Sequence, residues 1–187
     1  MTRPDETILS RLENKALHYY LGRYASTTGR LEQVLTRFAR RKLADEDPDR
    51  LAVLIRQKVD DCVRRGYVDD QLYAEQKTAS LRNQGSSRMG IRRKLFMAGV
   101  GNALIDDAIS SHDEDEGDDA ETVAAIIYAR RRRLGPFARQ DNLKDGWKDR
   151  HLGSLARAGF SISVARFVLN FDDPASAEDW LNNPKSR

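Results

Sequence analysis

Apolar residues in this chain recur at helical spacing in short bursts, and most bursts are cut off by a glycine, an Asp-Pro pair or a capping hydroxyl. That rhythm constrains the fold more than anything else in the sequence. No stretch alternates apolar and polar residues between turns as a half-buried strand does, so the class is all-α. The sharpest punctuation runs from Gly66 to Ala74, GYVDDQLYA. Gly66 ends an apolar helix, because glycine enters the left-handed turn at no steric cost. Asp69 offers its carboxylate to the free N–H groups of the next helix. Val68 then sits at N′ and Tyr73 at N4, the two positions of a hydrophobic staple. Tyr67 and Asp70 complete this joint, with Asp70 as a partner of the helix dipole. Asp69 and Asp70 could instead be a catalytic or metal-binding pair, but no histidine or third acid lies beside them.

Taken in order, residues 1–7 read as a frayed tail. A first helix is expected over 13–24 with Ala16, Leu17, Tyr20, Leu21 and Tyr24 inward. Ser26 or Thr27 caps a second over 28–43, buried through Leu31, Val34, Leu35 and Phe38. Asp47-Pro48 starts a third, with proline where its missing N–H does no harm, and Leu51, Ile55, Val59 and Cys62 line it up to Gly66. The fourth, 70–82, turns Tyr73, Ala74 and Leu81 inward; the fifth, 88–98, uses Met89, Ile91, Leu95 and Phe96 and stops at Gly99. A sixth covers 102–110. The acidic run from His112 to Asp119 contains no apolar residue and reads as a hydrated linker. The seventh, 120–134, ends at Gly135-Pro136. An eighth covers 142–158, closed by Gly159, and a ninth covers 161–170 with Val164, Phe167, Val168 and Leu169 inward. From Asp172 a tail holds at most one further turn around Trp180.

The fifth and sixth helices can be laid on the eighth and ninth. Leu95-Phe96-Met97-Ala98-Gly99-Val100 matches Leu155-Ala156-Arg157-Ala158-Gly159-Phe160, and the apolar pattern continues beyond both glycines. Gly99 and Gly159 therefore mark equivalent joints. The first three helices follow the same order less closely. Three tandem three-helix repeats are expected, over 13–66, 67–111 and 120–171, with the linker at 112–119 and the tail at 172–187. Modules of this size have little core of their own and stack into an elongated, curved array.

Charge then indicates function. Acids and bases nearly balance, with a formal net charge of +3, but they are segregated along the chain. Arg37, Arg40, Arg41 and Lys42 end the second helix, and Arg88, Arg92, Arg93 and Lys94 fill the fifth. Lys144, Lys148, Arg150 and Arg157 lie on the eighth, and Arg130, Arg131, Arg132 and Arg133 end the seventh, where cations also favour the dipole. The second, fifth and eighth helices are the middle helices of the three repeats. Stacking would align their cations into a ridge suited to a periodic polyanion. No phosphate loop or dinucleotide fingerprint is present, and the three histidines form no set with acids at ligand spacing, so neither catalysis, a metal nor a cofactor is expected. The single Cys62 falls on an apolar helical face and reads as core. With no apolar leader and no membrane-length run, a cytoplasmic monomer is expected. An alternative is a helix-turn-helix transcription regulator built on Ala98-Gly99-Val100. Its reading helix would then present Asn102, Asp106 and Asp107, and the aspartates would be repelled by phosphates.

Three segments carry a resemblance: Ala16 to Ser26 (ALHYYLGRYAS), Gly66 to Ala74 (GYVDDQLYA) and Ile91 to Val100 (IRRKLFMAGV). In this order they resemble the RecX regulatory proteins, and the likeness runs from about residue 13 to 170. RLGPF (Arg133 to Phe137) and LARAGF (Leu155 to Phe160) are similar to a variant branch of that family. The resemblance implies three tandem three-helix repeats and a partner, the RecA recombinase, bound in the groove of its filament on single-stranded DNA. It implies inhibition of filament extension, ATP hydrolysis and strand exchange. The chain would thus modulate homologous recombination and the SOS response of DNA repair without being an enzyme.

Overall fold

The computed structural model describes residues 4–117, 119–139 and 145–183. The helices are α1 (Asp5–Ala16), α2 (Thr28–Lys42), α3 (Pro48–Arg64), α4 (Asp70–Asn83) and α5 (Arg88–Met97), then α6 (Asn102–Glu116), α7 (Ala120–Arg132), α8 (Trp147–Arg157), α9 (Ile162–Leu169) and α10 (Pro174–Asn182). A π-helical turn, Leu17–Leu21, follows α1, and a 3-10 turn, Gly135–Phe137, follows α7. Among the described residues there is no strand. The chain divides into two compact units, Met1–Ala74 with Phe96–Leu104, and Glu75–Leu95 with Ile105–Arg187.

In the first unit, α1, α2 and α3 pack on one another around Ile8, Leu12, Leu31, Leu35, Leu54 and Ile55. Fully burying one such side chain contributes about 1.5–3 kcal/mol. The helix starts follow local chemistry. The Thr27 hydroxyl accepts from the Arg30 N–H at 3.1 Å, and Asp47 accepts from the Arg50 N–H at 2.7 Å, with Pro48 in the first turn. The end of α3 is a Schellman turn: Gly66 has φ +72°, Tyr67 N–H reaches the Cys62 carbonyl and Gly66 N–H the Val63 carbonyl, both at 2.9 Å. Cys62 is buried, and that burial pushes its thiol pKa up.

The expected N-terminal tail is helix from Asp5 onward. Pro4 stands ahead of the first turn, Asp5 and Glu6 complement the dipole, and Ile8, Leu12 and Ala16 are buried at four-residue spacing. The first helix therefore begins before residue 13. The helical face assigned to α5 also changes: Ile91 and Leu95 are buried, but Met89 and Phe96 are exposed, as is Met97.

The second unit has its core between α7, α8 and α9, built on Ile126, Leu155, Phe160 and Val168. Arg133, not Gly135, is the first left-handed residue after α7, at φ +55°. The residues from 172 are not a tail with one turn. Asp173 and Ser176 form a capping box, Pro174 opens α10, Ala177 is buried, and the Trp180 ring lies 5.6 Å from that of Phe167. Phe167, expected inside, is nearly half exposed and is covered on its edges by Phe171 and Trp180. The supposed acidic linker is helical as far as Glu116, because Asp113 is held by the buried Arg82 through contacts of 2.7 and 3.0 Å. The expected start of the eighth helix, with Lys144, lies outside the described residues; α8 is described from Trp147.

Candidate functional site

Each unit contains one joint of the same design. In the first unit the Thr27 hydroxyl, which caps α2, also donates to the carbonyl of Ala98, the residue before Gly99. In the second, the Ser87 hydroxyl caps α5 by accepting from Gly90 N–H at 3.0 Å and donates to the Ala158 carbonyl, before Gly159, at 2.6 Å. Both bonds span 71 residues. An acid from the start of a later helix then takes the next N–H. Asp70 accepts from Thr28 N–H at 2.8 Å and from the Thr28 hydroxyl at 2.6 Å, while Glu121 accepts from Arg88 N–H at 3.0 Å. Asp69 meanwhile caps its own helix through Leu72 N–H at 2.9 Å. The two adjacent aspartates thus cap two different helices. Gly99 and Gly159 are required by fit as well as by positive φ: a Cβ on Gly99 would stand 3.0 Å from the Gly29 backbone, and one on Gly159 2.6 Å from the Ser87 hydroxyl. Tyr67, just past α3, accepts a bond from Arg65 at 3.1 Å beneath a guanidinium 4.8 Å from its ring, and Tyr73 is half-buried.

Around the second joint opens a cleft of about 680 Å³. Arg93 and Lys94 of α5, Arg131 and Arg132 of α7 and Arg157 of α8 line it together with Ser154 and Tyr128, and among the described residues no carboxylate does. The guanidinium of Arg131 donates to the Gln84 carbonyl, and that of Arg132 lies 6.0 Å from the centre of the Tyr128 ring. Lys94 reaches the Ser86 hydroxyl at 3.3 Å. Burial lowers the pKa of its ammonium, and the positive charges of Lys77, Arg93 and Arg131 lower it further. Like charges held at this density repel one another and concentrate positive potential in the cleft.

The other cations expected at a partner site fall elsewhere. Arg88 and Arg92 are engaged within the chain: Arg92 pairs with Asp106, and Arg88 reaches Ser110 at 3.2 Å and Asp113 at 3.4 Å. Their charges are answered locally, so they do not stand with Arg93 and Lys94. Arg130 lies 4.0 Å from Glu178, Arg133 forms the left-handed end of α7, and Lys148 sits 5.7 Å from the Trp147 ring, outside the cleft. Arg37, Arg40, Arg41 and Lys42 are exposed on α2 in the first unit. Asp113 is committed to Arg82, and His112 Nδ1 lies 3.9 Å from its carboxylate. His151, given no role by its sequence neighbours, accepts from the Gly135 N–H at 3.0 Å through Nδ1. Burial and then Arg150 lower its pKa, which suits a neutral acceptor. No helix among the described residues is long and apolar enough to cross a membrane.

Sequence reasoning found the cations of the cleft one helix at a time but not their grouping. The paired hydroxyls at Thr27 and Ser87, each in step with an Ala-Gly pair, were the available signal. The partner acids Asp70 and Glu121 had none.

Residues 69–109, from within the Gly66–Ala74 joint to the middle of α6, match the family described as RecX, second three-helix domain. The regulatory protein RecX of Myxococcus xanthus is 37% identical over 172 residues, covering 90% of this chain and 89% of its own length. The regulatory protein RecX of Agrobacterium fabrum is 29% identical over 180 residues, covering 96% and 92%. Likeness of this extent leaves little of the helical chain unaccounted for, and with the family's own three-helix domain falling on α4 to α6, the protein belongs to the RecX family.

Proposed function

We propose that this chain is a non-catalytic regulator that binds the RecA recombinase filament on single-stranded DNA, in its groove, and inhibits filament extension, ATP hydrolysis and strand exchange. The observation that carries this reading is the cleft where Arg93, Lys94, Arg131, Arg132 and Arg157 converge. Planar guanidinium groups bind carboxylates and phosphates through paired hydrogen bonds, and a concave wall focuses their field. Acidic side chains of a filament subunit, or phosphates of the DNA it carries, fit such a wall. Family membership supports the same reading, since the relatives are named as regulatory proteins. Repeats over residues 67–111 and 120–171 would each grip part of the filament, with 13–66 extended back to residue 5 as the third contact. A protein holding neighbouring subunits at once restrains the movements that accompany nucleotide turnover, which explains inhibition without chemistry.

The test is a RecA ATPase assay on single-stranded DNA with this protein titrated in. Wild-type protein is expected to suppress turnover. The pair Arg93→Glu with Arg157→Glu is expected to lose that suppression while keeping the wild-type helical circular dichroism. Arg92→Glu alone should matter less, because Arg92 already pairs with Asp106. Full suppression by the Arg93/Arg157 variant would remove the cleft from the mechanism.

A further inference from the structure

A second basic surface lies in the first unit, away from any joint. Arg11 and Lys15 of α1, Tyr19 of the π-helical turn, and Phe38, Arg41 and Lys42 of α2 line a hollow of about 880 Å³. Three observations separate it from an ordinary solvated face. Among the described residues, no ion pair takes up any of its four cations, whereas Arg65 and Lys58 in the same unit are both paired with Glu13. Its aromatic wall is open: Tyr19 is 64% exposed, with the Lys15 ammonium 5.7 Å from its ring centre, and Phe38 is half-buried beside it. Finally, Tyr19 stands on backbone that departs from α geometry. Gly22 N–H bonds to the Leu17 carbonyl five residues back at 3.1 Å, and the extra residue in that turn re-aims the side chains it carries. Such π turns are uncommon and concentrate at functional sites.

A sulfate or a carboxylate would use the cations and leave the ring idle. An apolar peptide would use the ring and leave four charges unanswered. A ligand with both a flat π face and a regular negative backbone uses all of it, and single-stranded nucleic acid is that ligand. We propose that this hollow binds single-stranded DNA directly, with a base stacked on Tyr19 and the adjoining phosphates held by Arg41, Lys42 and Arg11. This rests on the reading of the chain as a regulator of a filament carrying single-stranded DNA, and assigns the DNA itself to one face of the first unit.

The test measures fluorescence anisotropy of the full chain, without recombinase, on an oligothymidylate of about 16 nucleotides and on an abasic strand of equal length. Wild type is expected to bind the oligothymidylate at least about tenfold more tightly than the abasic strand. Tyr19→Ala should erase that preference and Tyr19→Phe should keep it, since stacking needs the ring and not the hydroxyl. The pair Arg41→Ala with Lys42→Ala should reduce the slope of log affinity against log salt by about 1.4. Because these side chains are largely exposed, an unchanged melting temperature is the check that each variant folds. Equal binding of the two strands, or a Tyr19→Ala variant that keeps the preference, overturns the proposal. So does a Tyr19→Ala variant that binds DNA as before but loses its hold on RecA free of DNA, which would make the hollow a protein contact. A wild type that prefers the oligothymidylate but leaves RecA turnover untouched upholds the DNA site and removes the regulatory role instead.

Discussion

The joint at Thr27 and the joint at Ser87 use one plan with different materials. Both turn a capping hydroxyl onto an Ala-Gly carbonyl, and both bring an acid from the start of a later helix to the first free N–H. At the first joint, backbone meets backbone, Gly29 against Gly99, and Asp70 gives both its oxygens to Thr28. At the second joint Met89 stands where Gly29 stood, and the acid, Glu121, also accepts from Arg82 at 2.6 Å. That guanidinium is 4% exposed and is held from the other side by Asp113. Steric fit thus closes both joints, and at the second a buried charge cluster is added to it. Charge also collects around the second, where the five-cation cleft opens. In the first unit, carboxylate–cation pairs away from the joint include Glu13 with Lys58 and Arg65, and Asp61 with the same two cations.

If fit closes the first joint, a single methyl should open it. Gly99→Ala places a Cβ at φ +84° and 3.0 Å from the Gly29 backbone, which has no side chain to swing aside. Left-handed strain of about 1–2 kcal/mol and overpacking of about 1–3 kcal/mol add, for a loss of about 2–5 kcal/mol in urea unfolding. Gly66→Ala is the control: φ is +72° but nothing lies within 4 Å, so only the strain of about 1–2 kcal/mol remains. Equal losses in the two variants would show that contact with Gly29 does not matter. At the second joint the obstacle to Gly159→Ala is the Ser87 hydroxyl, so a Ser87→Ala background should relieve part of its cost.

How much of this could be read in the sequence depends on how far apart the partners lie. Starts and stops decided within four residues are legible: Asp47 with Pro48, Asp69, the Gly66 turn, and the cap of α2, narrowed to Ser26 or Thr27, of which Thr27 serves. Two further starts are of the same local kind. Asp173-Pro174 repeats the Asp47-Pro48 signal ahead of α10, and Ile8, Leu12 and Ala16 were spaced for a helix behind Pro4. The extension of α6 through an acidic run was not legible, because its reason is Arg82, 31 residues upstream. The same holds for Asp70, whose carboxylate serves a helix start 42 residues back. Of the candidate site, residue types and helices were foreseen, but partnering was not. Arg92 and Arg93 are neighbours in sequence, yet among the described residues only Arg92 meets an acid, because α6 presents Asp106 to it. Outward-facing Met89 and Phe96 were misplaced because α5 is short, and ten residues define its buried stripe poorly.

If charge adds to fit at the second joint, removing its cation should cost more than neutralising the acid of the first. Arg82→Met keeps the apolar stem of the side chain but takes from Asp113 and Glu121 the cation they share, leaving Asp113 only the exposed Arg88 at 3.4 Å. Breaking a fully buried pair costs about 3–5 kcal/mol, and the carboxylates here keep some access to water, so about 2–3 kcal/mol is expected. Asp70→Asn keeps one acceptor oxygen for Thr28 and should cost about 1 kcal/mol. Amide exchange locates each loss: Arg82→Met should speed exchange in α7 and spare α2, and Asp70→Asn should do the reverse. Loss of protection in the same helices for both variants would mean that the two joints do not act independently.

The smallest effect concerns the charges that the first unit keeps outside its joint. A hydrogen bond from Arg65 and the charge of Lys58 lower the pKa of Glu13, and for Asp61 the pull of Lys58 and Arg65 outweighs the upward push of burial. A carboxyl with a folded pKa below its unfolded value, about 4.3 for glutamate, stabilises the fold above that value. The contribution fades as pH falls through the folded pKa, when the proton that the unfolded chain already holds is taken up by the folded one as well. Glu13→Gln should therefore be less stable than wild type near neutrality, and the gap should close as the solution is acidified below about pH 4. Salt at about 1 M should narrow the gap at neutral pH too, because the pair is open to solvent. Chemical denaturation at several pH values reads both. A gap that stays constant from neutral pH into acid would mean that glutamine fails by shape alone, and that Lys58 and Arg65 contribute nothing by charge to holding α1 against α3.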